Sequence, residues 1–600
     1  MTQNKRQSET DSKGHGQRSR SPRWRTDKPP EKSATPNPKP KNPSPLASRL
    51  IGLETEYATL ILGTDEVEPN GMPAAQHVYS ALCDVIRQDQ PTVPGVFDQD
   101  QLFLANGSAV SFESHPAMHQ EPGGFLEIAT PEVRAPSELL TCQRSIDRLA
   151  ADAAFNSKTG FDIRILKNSR DALGHVYGCH ENYEAEVAHG LFLVIYRLFI
   201  LLLWGMQAIS LLASLPVMAA ILAVVFLCKT LKRQPISFEK PDDLFESVPR
   251  WVATPLLATL RCVHLPTVLV LRLVIRHIAF RRQRRCLTAF LVSRVVLCGT
   301  GTLDPNGRYH VSAKGIAIDS IADMGGFNGE KPIFVFGHWL GQFCAKSFYS
   351  LASTMQMFGR KQRLQIGLSD SNLSDLAEYV KVGSVSLLLD MIESGQHRKM
   401  PQIKAPVDAL GRIASDWHLV TRVATNRGEM SALDLQKSYL AAAEAFVAGV
   451  PAAQQGEAPL ILMRWRELLN AAVAYRKDAA DFSDALGKID WLTKRAMIDQ
   501  MGTDSEWTAR KKIDLRYHEL SNEGYFTKIA TTIPGVQLVD PPDVERRRRS
   551  PPSNSPAARR GWLIREFADS EEQLRCDWGF ALIGHGKHQR RVQFTDTHYV

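Results

Sequence analysis

At 600 residues, 44% hydrophobic and 23% charged, the chain exceeds one ordinary hydrophobic core, so two or more structural units are expected. The net charge of +8 is uneven: residues 1–47 hold eleven Lys/Arg against four Asp/Glu and residues 188–285 hold thirteen against four, leaving the remainder at −8. A mildly acidic body with two basic appendages argues against a chain-wide nucleic-acid binder, and nine scattered cysteines without a CxxC pair argue against a disulfide framework or a zinc site.

Residues 1–47, rich in Pro, Ser, Lys and Arg with Trp24 the sole aromatic, read as a disordered basic tail with no apolar core for a signal peptide. From 50 to about 170 the pattern is strand, helix, strand, strand, helix, strand. In Gly52-Leu53-Glu54-Thr55-Glu56-Tyr57, strand alternation puts Glu54 and Glu56 on one face and Leu53, Thr55 and Tyr57 on the other. Two residues of rise separate the carboxylates by about 7 Å. That is too far to grip one small cation between them, but it suits a wider floor carrying Mg²⁺ and a polyphosphate; the competing reading is a solvent-facing edge strand. Residues 77–87 read as an amphipathic helix. Short runs at 102–104 and 109–113, split by Asn106-Gly107, read as a hairpin, and 126–130 as a further strand. A helix is expected over 137–154 with Ser137 as its cap, and a strand over 161–166.

From Gly190 to Cys228 the only charge is Arg197, and the stretch 199–228 has none, where about 20 apolar residues suffice to span a bilayer. Lys229, Lys232 and Arg233 close it like a cytoplasmic flank. A second apolar region, 251–280, carries Arg261, His264, Arg272, Arg276 and His277 and ends in Arg281, Arg282, Arg284 and Arg285. It fits a weaker span or an interfacial helix with basic side chains toward lipid headgroups. Beyond it, 288–296, 309–318 and 333–336 read as strands, 364–367 as an extended run, 374–393 as a helix and 408–519 as almost wholly helical. The Pro/Arg/Ser-rich stretch 541–556 reads as a linker to a small terminal unit.

Several blocks resemble the ligases and deamidases/depupylases that act on the prokaryotic ubiquitin-like protein Pup, within the glutamine-synthetase-like carboxylate–amine ligases. They are GLETEY at 52–57, NGSAVSFE at 106–113, LEIATPEV at 126–133 and ILKNSRDALGHVYGCHENY at 165–183, then SDSNLSDLAEYVKVGS at 369–384, LDMIESG at 389–395 and LRYHEL at 515–520. The tail and the apolar insert lie outside the resemblance. It implies an α+β fold: a curved antiparallel sheet cradling ATP and Mg²⁺, backed by helices, with a small C-terminal domain. With the tail and insert read from composition, the chain divides into a tail to 47, a catalytic part over 48–187, a membrane-associated insert over 188–286 (transmembrane over about 198–228, with a second span at 257–279), the rest of the catalytic domain to 535, and a linker with the small domain to 600. The resemblance also implies activation of the C-terminal glutamate of the modifier as an acyl phosphate, followed by attack of a substrate lysine. Carried over by position, Glu54, Glu56 and Glu127 would be Mg²⁺ ligands, Thr130 and Trp578 nucleotide contacts, and Glu113 the catalytic base. Hard carboxylate oxygens suit Mg²⁺, whose charge offsets that of the transferring phosphoryl group.

The chain departs from the family pattern Asn-Gly-Ala-Arg-x-Tyr-x-Asp at functional positions: Ala109 stands at the nucleotide-contacting arginine, Ser111 at the tyrosine and Glu113 at the catalytic aspartate. An insertion, 115–124, precedes the second carboxylate strand. A depupylase of the same family and a non-turnover scaffold that binds the modifier are the alternatives to a ligase, and the short gap from Tyr57 to Ala105 favours the ligase. Lys167-Asn168, the 180–183 block, Asp370 and Asn372 read either as pocket support or as local turn and strand-end structure. Site residues fall on both sides of the insert, so the chain is expected to cross a membrane an even number of times or not at all. A bend near Ser214-Leu215-Pro216 or a pair of spans would serve, with the catalytic body on the cytoplasmic face, lysine-bearing proteins and the modifier as partners, and no specific nucleic acid.

Overall fold

Strand β1, Ile51–Leu62, buries its apolar side chains on one face and lies at the centre of a ten-stranded sheet. The computed structural model describes residues 44–594 except 63–72, 115–123, 173, 232–248, 326–328, 344–350, 398–399, 503–504 and 571. The tail to residue 43, the insertion at 115–123 and the basic pair Lys232 and Arg233 lie outside the described residues. In chain order the strands are β1, β2 (Thr92–Pro94), β3 (Leu102–Leu104), β4 (Ala109–Ser114), β5 (Gly124–Ala129), β6 (Asp162–Leu166), β7 (Cys179–Glu186), the small pair β8 (Thr302–Leu303) and β9 (Tyr309–His310), then β10 (Ser320–Asp323), β11 (Pro332–Val335) and β12 (Lys361–Ile366). The sheet runs β10-β11-β12-β7-β1-β5-β4-β3-β2, with β6 pairing the second half of β1. Every pairing in it is antiparallel except β10 with β11.

Helices back one face. They are α1 (Ala75–Asp89), α2 (Pro136–Phe155), α3 (Leu191–Leu231), α4 (Arg250–His277), α5 (Arg281–Cys298) and α6 (Asp375–Glu393), followed by further helices through 567. Leu53, Cys179, Tyr183, Leu364 and Ile366 from the sheet join α5, α6, Ala432–Ala448 and Ala458–Lys477 in one core. Polar groups pointing into that core are paired, as burial requires. Tyr57 donates to Asp147 on α2 at 2.7 Å, and Arg294 on α5 clamps Glu181 of β7 at 2.6 and 3.0 Å. Lys167 bridges Asp147 and Glu378 at 3.1 and 3.2 Å.

Several expectations are corrected. Residues 288–296 are not a strand but the middle of α5; its β-branched run is buried on every side, which erases the helical period. Only Tyr309–His310 of the expected strand 309–318 pairs, because Ser312 accepts from Gly315 and starts the helical turn Ala313–Ala317. Ser137 does not cap α2; Pro136 already occupies its first turn, and Ser137 bonds Glu457 instead. The helical stretch after 408 is interrupted by the hairpin Arg422–Thr425 with Gly428–Ser431. The supposed linker begins as a helix, Pro541–Arg549, which Arg547–Glu138 and Arg548–Asp152 pairs, both at 2.6 Å, fasten to α2.

α3 continues for 41 residues straight through Pro216, about 60 Å long, rather than bending there. α4 packs beside it antiparallel. Ser210 bonds the Val263 carbonyl at 3.2 Å, Ser214 meets His264, and Ile221 and Val225 face Val252 and Leu256. Tyr196, Ile200 and Leu203 of α3 and Leu271, Val274 and Ile275 of α4 enter the core, so the hairpin is rooted in the body.

Candidate active site

The open face of the sheet is built by register. Glu56 lies opposite Glu127, and Glu127 opposite Ser111, so β1, β5 and β4 place a row of polar side chains across the sheet. Glu113, two residues along β4 from Ser111, shares this face. The carboxylates of Glu56, Glu113 and Glu127 each offer an oxygen within 4.8 Å of the other two. Gly178 N–H donates to Glu56 at 2.7 Å. Burial, reinforced by the neighbouring Glu54, Glu113 and Glu56, pushes the Glu127 carboxyl well above the ordinary carboxylate range. Burial also raises Glu56, with Glu113 adding to the effect and Lys314 opposing it. Three converging carboxylates form an oxygen donor set of the kind that suits a hard divalent cation.

A cavity of about 520 Å³ opens over this floor. Basic side chains line it as well: His180 of β7 and Arg363 of β12 rise from the same sheet, and Lys314 and Lys331 come from the segments on either side of β10. Burial and then Lys314 lower the Lys331 pKa, and burial followed by Lys314 lowers that of His180. Asp370 holds the backbone N–H of Lys314 at 3.0 Å and that of Thr300 at 3.0 Å, so it positions the turn carrying Lys314. Carboxylates and basic side chains lining one cavity match a cation–polyphosphate pair.

Glu54 stands one row away. Its carboxylate is ion-paired with Arg363 and accepts from Gln365 at 2.9 Å, outside the three-carboxylate cluster. Thr130 is buried, its Oγ1 accepting from Leu53 N–H at 3.0 Å, which ties β5 to β1. Trp578 lies beyond the cavity, edge-on to Phe103 at 5.4 Å with the Arg560 guanidinium 4.7 Å from its ring. Arg560, wholly buried, also forks onto Glu132 and reaches the Gly107 carbonyl at 2.6 Å. Gly107 has φ +87°, and a Cβ there would stand 2.7 Å from Ala557, so the Asn106-Gly107 turn admits only glycine against this terminal unit. Ala109 is buried under the same unit, whereas Ser111 lines the cavity.

The 180–183 block divides by strand alternation: His180 and Asn182 face the cavity side, Glu181 and Tyr183 the core. Asn372 bonds Asp490 and the Cys298 carbonyl and is structural. Lys314, Lys331 and Arg363 are not among the candidates that the sequence offers. Arg363 and Gln365 alternate on one strand face and were legible as a pair; Lys314 sits in a single helical turn with no periodic signal.

Residues 49–581 match the family model described as Pup-ligase protein. Among curated relatives, a Pup–protein ligase of Acidimicrobium ferrooxidans is 24% identical over 573 residues, covering 92% of this chain and 96% of its own length. One of Corynebacterium jeikeium is 22% identical over 561 residues, covering 89% and 92%. Among solved structures, the ligase PafA in complex with the prokaryotic ubiquitin-like protein Pup shares the fold at TM-score 0.61 and 18% identity, covering 92% of this chain and 89% of that one. The Pup ligase PafA with ADP does so at 0.55 and 17%, covering 82% and 86%.

Proposed function

The chain belongs to the Pup-ligase family, and from that premise we propose that it is an ATP-dependent Pup–protein ligase hung from a membrane by its helical hairpin. The observation that carries the catalytic reading is the carboxylate cluster of Glu56, Glu113 and Glu127, two of which, Glu113 and Glu127, line one cavity together with Lys314, Lys331 and Arg363. Relatives named as ligases that align over nine-tenths of the chain support it.

Glu56 and Glu127 would hold Mg²⁺, which supplies charge neutralisation for the transferring phosphoryl group, with Glu113 beside them. Lys314, Lys331 and Arg363 bind and orient phosphate oxygens by charge-assisted hydrogen bonds. Arg363 also keeps Glu54 neutralised, so the Glu54 carboxylate does not repel the nucleotide. Glu113 is the exposed member of the carboxylate cluster. In that position it would take the proton from an incoming lysine ammonium as the amine attacks the acyl phosphate of the modifier's glutamate, the C–O bond to phosphate breaking and inorganic phosphate leaving. The decisive assay is conjugation of a Pup-like modifier by the full chain, wild type and Glu113→Gln, with ATP consumption followed in parallel. Wild-type conjugation lost in the variant supports the reading. Modifier binding with no turnover by wild type refutes catalysis, and cleavage of a conjugate without its formation assigns the depupylase direction.

The tether rests on two helices, Leu191–Leu231 and Thr254–His277, that are long and apolar enough to cross a membrane. Along α3, Leu198, Ile209, Leu212, Leu215, Leu222 and Phe226 are exposed, an apolar surface far larger than a soluble monomer presents. Their antiparallel pairing returns the chain to the side it left, which the site requires, since Glu56 precedes the hairpin and Lys314 follows it.

A further inference from the structure

The basic run that opens α5 does two jobs. Arg284 turns inward and donates to the carbonyls of Arg276 and Ala279, both at 3.0 Å, closing the end of α4; burial, with Arg281 beside it, lowers its pKa to about 10. Arg281, Arg282 and Arg285 instead line a separate cavity of about 430 Å³, with Phe192, Ile278 and His397. None of their partners among the described residues is a carboxylate. Arg282 donates to His397 Nδ1 at 3.2 Å, Arg285 to Gln402 Oε1 at 3.1 Å, and Arg281 lies 5.2 Å from the centre of the Phe192 ring. Glu186, the carboxylate in the lining, is held by Arg360 at 2.7 Å, so the cavity keeps a positive excess.

Position gives this cavity its meaning. Phe192 belongs to the first turn of α3 and Ile278 follows the last residue of α4, so the cavity lies at the root of the hairpin. The exposed apolar face of α3 begins there, at Leu191, Val194 and Leu198. A guanidinium cluster bordering an apolar helix face offers two adjacent chemistries, one for phosphate and one for acyl chains. The volume lies within the usual range for small-ligand sites.

We infer that this cavity binds the phosphate-bearing headgroup of an anionic membrane lipid and thereby fixes the orientation of the catalytic body at the bilayer. The inference rests on the membrane reading of the hairpin given above. It is tested with the full chain reconstituted in phosphatidylcholine nanodiscs, with or without phosphatidylglycerol, by counting retained lipid in native mass spectra and measuring thermal unfolding. Phosphatidylglycerol is expected to remain bound and raise the unfolding temperature. The R281Q/R285Q double variant is expected to weaken its retention roughly 30-fold while incorporating normally into phosphatidylcholine discs. The milder R281K/R285K, which keeps both charges and removes only the planar fork, is expected to weaken it about tenfold. Inorganic phosphate added to phosphatidylcholine discs is expected to change nothing. Equal retention by wild type and both variants, or no preference for phosphatidylglycerol, overturns the headgroup site alone. A shift reproduced by inorganic phosphate overturns the lipid assignment in favour of a free anion. Failure of the wild-type chain to enter any disc overturns the hairpin reading, and the headgroup site with it.

Discussion

Glu56 and Glu127 face each other directly across the β1–β5 ladder, and Glu113 of β4 completes a cluster whose three oxygens lie within 4.8 Å. Like charges this close on a half-buried sheet face repel, so the floor is strained until a cation or a proton intervenes. Glu127→Gln is expected to leave the metal-free unfolding temperature unchanged or higher, because it removes repulsion. It is expected to abolish stabilisation by Mg²⁺ with ADP and to lower kcat/KM for conjugation at least about a hundredfold. Thermal shift with and without Mg²⁺, alongside conjugation kinetics, checks both.

The same repulsion predicts a pH dependence. Glu127 and Glu56 have folded-state pKa values raised above the unfolded value. Their contribution to stability is therefore full below the ordinary carboxylate pKa and is lost as pH rises through the raised values. Metal-free protein is expected to unfold at lower temperature as pH climbs from about 5 towards 8, and saturating Mg²⁺ is expected to flatten that decline. A decline of equal size in Glu56→Gln/Glu127→Gln would assign it elsewhere.

Glu378 runs the opposite way. It lies buried against Lys381 at 2.8 Å, Lys167 at 3.2 Å and Arg144 at 3.5 Å, and despite burial these cations, Lys167 foremost, lower its carboxyl to about 2. Its contribution is present above the unfolded pKa near 4.5 and is lost as pH falls towards 2. Glu378→Gln leaves these buried cations short of a carboxylate and is expected to cost about 3–5 kcal/mol, read by denaturant unfolding at neutral pH.

Lys314 tests the basic lining of the cavity. Lys314→Ala removes one charge-assisted donor and is expected to raise the KM for ATP about 10- to 100-fold, with the unfolding temperature of the free protein little changed. Asp370→Asn, which perturbs the two backbone N–H groups that Asp370 holds, is expected to raise that KM too, by a smaller factor.

The hairpin makes a topological prediction. A reporter inserted within 232–249 is expected to be found on the membrane side opposite the catalytic body, and protease added to the body's side is expected to spare it. Arg261 is an exposed charge midway along α4. Arg261→Leu is expected to favour insertion by about 2.5–3.5 kcal/mol in a quantitative insertion assay.

Local chemistry sufficed for much of this. Alternation along 52–57 alone put Glu54 and Glu56 on one face, Asn106-Gly107 alone marked the hairpin, and an apolar stretch with one charge alone marked a helix too long for a soluble core. Family resemblance supplied Glu113 and Glu127. What the chain order could not express was strand pairing: β5 and β7 flank β1, so Glu127 meets Glu56 while Glu54 is drawn to Arg363 from a strand some 300 residues later. Burial on every side also hid the helical nature of 288–296, since a period is visible only where one face meets water. Sequence fixes the alternation within each strand; only the register between strands, set by the packing of helices behind the sheet, decides which carboxylates converge.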